Sequence, residues 1–232
     1  MGKDKNKKKL LNFYSKEIVT CVMIGACKVM IQTWIADVTS LLNTEVYQKH
    51  YDSVPLWRQE KADKIRFDED KALSVGAWVL YEKMKKAYHL KDDAPFNLSH
   101  SGNYVLCSVE DSGDVTTMVG CDLEKIKEPR LKIARRFFCE NECRMVEKDP
   151  DNFFRFWVLK ESFMKVTRLG LKLGLDTFEI DLTERGPVLK RKPDDIEGEF
   201  YFKEYGLEGV SYRIAVCANR KDFAENITLV NL

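Results

Sequence analysis

Gly120-Cys121-Asp122-Leu123-Glu124 is the stretch on which the reading of the fold turns. In an extended strand, side chains two residues apart share a face. Asp122 and Glu124 therefore stand together on one face, and the apolar Cys121 and Leu123 turn to the other. Two neighbouring carboxylates repel unless something positive lies between them. A hard divalent cation is one solution, because Mg2+ takes a few carboxylates together with water and substrate phosphate. A solvated strand end beside a turn is the other, and the pentapeptide alone does not choose.

Working outward, Glu110-Asp111-Ser112-Gly113-Asp114 is a turn signal between a strand at 104–109 and one at 116–123, which together read as a hairpin. Ahead of them Pro95 blocks helix continuation, and Asn97-Leu98-Ser99-His100-Ser101-Gly102-Asn103 reads as turn-forming. Residues 59–86 read as helical, with Leu73, Val75, Val79, Leu80 and Met84 as an apolar stripe, and 30–38 as a strand. On the other side, helices are expected at 130–138 and 152–168, the second with Phe153, Phe156, Trp157, Phe163 and Val166 on its apolar side. Short β runs follow at 178–182, 199–203 and 211–218. Strand, helix and hairpin thus occur twice, split near residue 115. The class is α+β, with 30–115 as a first half and 116–232, including a C-terminal tail, as a second.

The 232 residues are 44% hydrophobic and 32% charged, enough to bury a sizeable core. Lys and Arg number 38 against 37 Asp and Glu, so net charge does not point to a polyanionic partner and any basic site is local. Seven cysteines, at 21, 27, 107, 121, 139, 143 and 217, lack the clustered spacing of a zinc site and read as free thiols. The lysine-rich run 3–9 before the apolar stretch 18–27 has the outline of a signal peptide. Lys16 and Glu17 abut that stretch, Lys28 closes it, and ten residues are too few to span a bilayer as a helix. An extension is therefore preferred to a secretion signal for this head.

Trp157-Val158-Leu159-Lys160-Glu161-Ser162-Phe163-Met164-Lys165 lies on a predicted helix, where Glu161 and Lys165 share a face. An ordinary i,i+4 surface pair accounts for them as readily as a site does. Ser99-His100 sits between two β-type segments, and no partner for the imidazole is evident. A Gly-x-Ser-x-Gly elbow and a P-loop are both absent from the sequence, which weakens hydrolase and nucleoside-triphosphatase readings.

Taken together and in order, Asn97 to Ser101, Gly120 to Glu124 and Trp157 to Lys165 resemble the signature of the Sfp-type 4'-phosphopantetheinyl transferases, N-(I/L)-S-H-S, G-(I/V)-D-(I/V)-E and W-x-x-K-E-(S/A)-x-x-K. Ala134-Arg135-Arg136-Phe137-Phe138, Gly170-Leu171 and Ala215-Val216-Cys217-Ala218 extend the resemblance across about residues 30 to 230. It implies a pseudo-dimer of two similar α+β halves with coenzyme A bound between them. Asp122, Glu124 and Glu161 would hold Mg2+ on the pyrophosphate, and Lys165 and His100 would contact phosphates on a wall shaped by Ser99. Arg58, Lys61 and Arg66, with Lys64, would receive the adenosine 3'-phosphate, although a charged helical face explains such a run equally.

The implied reaction moves phosphopantetheine to a serine of an apo acyl or peptidyl carrier protein, releasing 3',5'-ADP. Asp122, Glu161 and Lys165 would be the catalytic set, and either Glu161 or a water on the cation would take the serine proton. The implied chain is a cytoplasmic monomer with no nucleic-acid or membrane partner. An acidic carrier would dock at Lys125, Lys127, Arg130, Lys132, Arg135 and Arg136, although a plain solvated helix explains that run equally. Three departures stand out: Cys121 replaces the usual Ile or Val, the family's Gly-Lys-Pro linker is missing ahead of Phe96-Asn97, and the family's first strand begins at the N-terminus whereas the matching segment here starts at Met30. The last implies that residues 1–29 are an extension outside the fold, with Met30 an alternative start. A homologue that binds coenzyme A or a carrier without transfer is the alternative, and a protein whose acids and lysines are all solvated surface is a third.

Overall fold

The computed structural model describes residues 29–232, so the expectation for the N-terminal extension falls almost wholly outside the described residues. Period-2 alternation builds two sheets. In strands β1 (Ile31–Asp37) and β3 (Tyr104–Glu110), Trp34, Ala36, Val105, Cys107 and Val109 face one core, while Ile31, Ile35 and Leu106 face another. With β2 (Phe96–Ser101) and β9 (Thr228–Asn231) they form a sheet of order β2-β3-β1-β9, in which β9 runs parallel to β1 and the other pairs are antiparallel. The second sheet is antiparallel, with β4 (Val119–Lys125), β8 (Tyr212–Ala218) and β7 (Tyr201–Tyr205) in that spatial order.

Helices α1 (Thr44–Ser53), α2 (Leu56–Asp63) and α3 (Asp68–Ala87) belong to the first sheet's side, and α3 packs on its outer face. Helices α4 (Leu131–Phe137), α5 (Glu140–Lys148) and α6 (Asn152–Val166) belong to the second, where α6 covers Ala215 and Cys217. Between the sheets, Ile31, Ile35 and Leu106 meet Val119, Cys121, Leu123, Ile214 and Val216 in a shared apolar layer. The order helix, sheet, sheet, helix makes the fold α+β, and the inner layer joins its parts into one body. A separate hairpin, β5 (Glu179–Thr183) and β6 (Gly186–Arg191), flanks the second sheet.

The structure corrects three local expectations. Residues 59–86 are not one helix: the chain leaves α2 at Lys64, Phe67 is extended, and Asp68, Glu69 and Asp70 start α3, where acids complement the positive end of the helix dipole. Residues 97–101 are strand, and the turn is confined to Gly102-Asn103, with Gly102 at φ +57°. The strand after the 110–114 turn does not return to β3. It pairs with β8, because Glu110 ties up the turn by accepting from Ser112 and Asp114 while the inward side of β4 seeks the opposite sheet.

Candidate active site

The edge strands of the two sheets, β2 and β4, lie side by side and are joined by side chains in place of a backbone ladder. Asn97 Oδ1 accepts from Cys121 N (3.0 Å), Ser99 Oγ donates to Asp122 Oδ1 (2.7 Å), and Ser101 Oγ donates to Glu124 Oε2 (2.7 Å). Alternate polar residues of one edge thus close the exposed edge of the other. On its far side β4 presses on α6. A Cβ on Gly120 would stand 2.2 Å from Ser162 O and 2.5 Å from Val166 N, so only glycine lets the strand approach this closely.

That approach brings Lys165 to Asp122. The Lys165 ammonium donates to Asp122 Oδ1 (2.7 Å), Ser99 Oγ (2.8 Å) and Cys121 O (3.0 Å). The lysine's partner is therefore the acid 43 residues away, not Glu161 one turn before it. Burial works to lower the Lys165 pKa, but Asp122 beside it carries it above its ordinary value. Asp122 is 5% exposed, and burial raises its pKa despite the opposing pull of Lys165 and Ser99. Its second oxygen, Oδ2, is buried without a hydrogen-bond partner.

Glu124 and Glu161 are half-buried. Burial lifts both pKa values, the charge of Asp122 adds to each, and the Ser101 hydroxyl opposes the rise at Glu124. Among the described residues no three His, Cys, Asp or Glu side chains are already gathered around a metal position. The expected trio Asp122, Glu124 and Glu161 is therefore not a preformed ligand shell. The donor set nonetheless suits a hard cation: all oxygen, mutually repelling, and containing an orphaned buried carboxylate oxygen that a cation would satisfy.

Of the expected phosphate contacts, Ser99 is buried and linked to Lys165 and Asp122 as described, while His100 is exposed beside them. Surrounding protein, and then the charges of Lys165 and Lys61, lower the His100 pKa, so Lys61 on α2 is within electrostatic reach of β2. Arg58 is not part of a solvated face. It is 9% exposed, its guanidinium lying 5.0 Å from the Trp57 ring and 4.6 Å from that of Trp78. Arg58 Nε, Trp78 Nε1 and Ser74 Oγ are buried without partners there, and burial lowers the Arg58 pKa. Arg66 is exposed over Phe67, and Lys61 and Lys64 are exposed. Sequence reasoning missed Trp57, Ser74 and Trp78, and gave Asn97 and Ser101 no separate role; the alternating Asn-x-Ser-x-Ser was the signal available for the latter pair.

Lys160, next to Glu161, is fully buried. It bonds Glu142 Oε2 (2.8 Å), Leu175 O (2.7 Å) and Phe178 O (2.8 Å), while Glu142 also accepts from Cys139 N and Ile180 N. This node fixes α6 to α5 and to the start of β5. Beside Glu124 opens a recess of about 160 Å3 lined by Lys125, Lys127, Arg130, Ile133 and Trp157. A larger cavity of about 540 Å3 between Cys139, Arg144, Glu179 and Arg191 contains none of the site residues.

A family model described as the 4'-phosphopantetheinyl transferase superfamily matches residues 118–217, which include Asp122, Glu124, Glu161 and Lys165. Among curated proteins the chain is 40% identical to the 4'-phosphopantetheinyl transferase Sfp of Bacillus subtilis (strain 168) over 144 residues, 60% of this chain and 61% of the relative. It is 36% identical to the 4'-phosphopantetheinyl transferase psf-1 of Bacillus pumilus over 58% of this chain and 57% of the relative. It is 37% identical to the 4'-phosphopantetheinyl transferase HetI of a Nostoc species over 40% of each. The matches with the two Bacillus relatives thus span about three fifths of those proteins' own length.

Proposed function

We propose that this chain transfers the 4'-phosphopantetheine arm of coenzyme A to a serine of an apo acyl or peptidyl carrier protein, with Mg2+, releasing 3',5'-ADP. The observation that carries the reading is the meeting of Asp122, Ser99 and Lys165 at the β2–β4–α6 junction, beside Glu124 and Glu161. The superfamily match over residues 118–217 and the similarity to relatives named as transferases of this kind support it. Asp122, Glu124 and Glu161 would hold the cation. When bound, it would neutralise pyrophosphate and stabilise charge on the leaving group.

The protein's own task is alignment and electrostatics. Lys165 has Asp122 as its resting counter-ion and would turn to a phosphate oxygen. His100, neutral at pH 7 by its lowered pKa, would donate its ring N–H to a phosphate oxygen from the exposed side. Arg58, held between its tryptophans, and the nearby Lys61 and Arg66 would offer positive charge for the adenosine 3'-phosphate of coenzyme A. Either Glu161 or a water on the cation would take the serine proton. The recess beside Glu124, rimmed by Lys125, Lys127 and Arg130, suits an acidic carrier.

The two sheets with their covering helices would form the two halves of the pseudo-dimer, divided near residue 115, except that the tail of 116–232 crosses back to the first sheet as β9. A monomeric, cytoplasmic enzyme without nucleic-acid or membrane partners fits this reading, and among the described residues no helix is long and apolar enough to cross a membrane. The short connection from Ala87 to Phe96, where the family's Gly-Lys-Pro linker is missing, favours the second reading, a homologue that binds coenzyme A without transfer. Chromatography of the small-molecule products decides between them. The transferase releases 3',5'-ADP only when coenzyme A, Mg2+ and an apo carrier are all present. Binding of coenzyme A with no release across several carrier classes supports the second reading and contradicts the first.

A further inference from the structure

Ser101 is positioned more tightly than a strand-end serine requires. Its Oγ accepts from the backbone N–H of Lys125 (3.2 Å) and donates to Glu124 Oε2 (2.7 Å). A hydroxyl carries one proton. With the Lys125 peptide hydrogen on its lone pair, that proton is directed at the carboxylate. The turn behind it is also fixed: Asn103 N donates to Tyr212 Oη (3.3 Å), and a Cβ on Gly102 would lie 2.2 Å from that same oxygen. Ser99, two residues earlier, repeats the arrangement by accepting from Lys165 and donating to Asp122. Each acid of the Asp-Leu-Glu strand thus receives a hydroxyl from the facing edge.

We infer that Ser101 is a positioning residue that fixes the Glu124 carboxylate in the orientation from which it binds the cation. The inference rests on the proposed cation site but concerns a residue given no role there. Outer hydrogen bonds of this kind set ligand direction, and losing one weakens metal binding about ten- to a hundredfold.

The test compares Ser101→Thr, which keeps the hydroxyl, with Ser101→Val, its near-isostere without one. The full chain is titrated with Mn2+ alone and free Mn2+ is read by its paramagnetic resonance signal. Glu124→Gln is the reference for the site, and thermal melts confirm the fold. Ser101→Ala is a second hydroxyl-free variant, so a folding defect peculiar to valine does not decide the result. The expected result is near-native affinity for the threonine variant and about ten- to a hundredfold weaker binding for valine and alanine, at similar melting temperatures. If Glu124→Gln weakens Mn2+ binding while valine and alanine do not, Ser101 has no positioning role and the cation site stands. Equal losses in threonine and valine overturn the inference as well. If Glu124→Gln leaves Mn2+ binding unchanged, the cation reading itself fails and this inference falls with it.

Discussion

His100 is the residue whose charge state reports most directly on the site. Its pKa is lowered by its surroundings and by Lys165 and Lys61, so at neutral pH it is neutral. Because the folded value lies below the unfolded one, protonation opposes folding, and its contribution to stability falls as pH drops through about 6.5. Proton-detected titration of the imidazole should give a value below that reference and a higher one in Lys61→Met. Saturation with coenzyme A should also raise it, because a phosphate favours the imidazolium. A value insensitive to coenzyme A would remove His100 from the phosphate wall. Asp122 and Glu124 were legible as a pair because strand alternation is local. The partner of Lys165 was not, since an ion pair across 43 residues depends on packing that no local pattern encodes.

Individual elements carry the geometry that places these groups. Gly120 allows β4 to reach the α6 backbone, so Gly120→Ala should destabilise the fold by about 1–3 kcal/mol, because the added methyl meets backbone and not a yielding side chain. Denaturant unfolding measures this, and a neutral result would mean that the strand does not depend on that contact. The Lys160–Glu142 pair is buried and fully bonded, so breaking it should cost more. Lys160→Met or Glu142→Gln alone is expected to lose about 3–5 kcal/mol, and the double variant less than the sum, because the uncompensated partner is gone. Additive losses would contradict that coupling. Strand β2 was misread as a turn because Asn and Ser are poor strand formers, although their alternation marked the seam that they close. The break between α2 and α3 was invisible for a related reason: it follows from the acids at 68–70 and an extended Phe67, inside a run whose composition is helical throughout.

At the scale of the molecule, the α+β class was readable from the alternation of β and helical patterns. Strand partners were not. β4 leaves its sequence neighbour for β8, and the tail returns to the first sheet as β9, parallel to β1. Val230 and Leu232 pack on the first core, and Lys83 Nζ donates to Asn231 O, so the tail clamps the half that begins the described fold. Removing residues 228–232 should cost about 2 kcal/mol by exposing that apolar surface, visible as a lowered melting temperature. An unchanged melting temperature would mean that the pairing contributes little.

These levels converge on one proposal: two sheets are joined at β2 and β4 so that Asp122, Glu124, Glu161 and Lys165 would serve a phosphopantetheine transfer. The most direct measurement is the intact mass of an apo carrier protein after incubation with the full chain, coenzyme A and Mg2+. The account predicts a gain of one phosphopantetheine, lost with EDTA and reduced at least about a hundredfold in rate by Asp122→Ala. No gain on any carrier class, or a gain that survives both EDTA and Asp122→Ala, would contradict it.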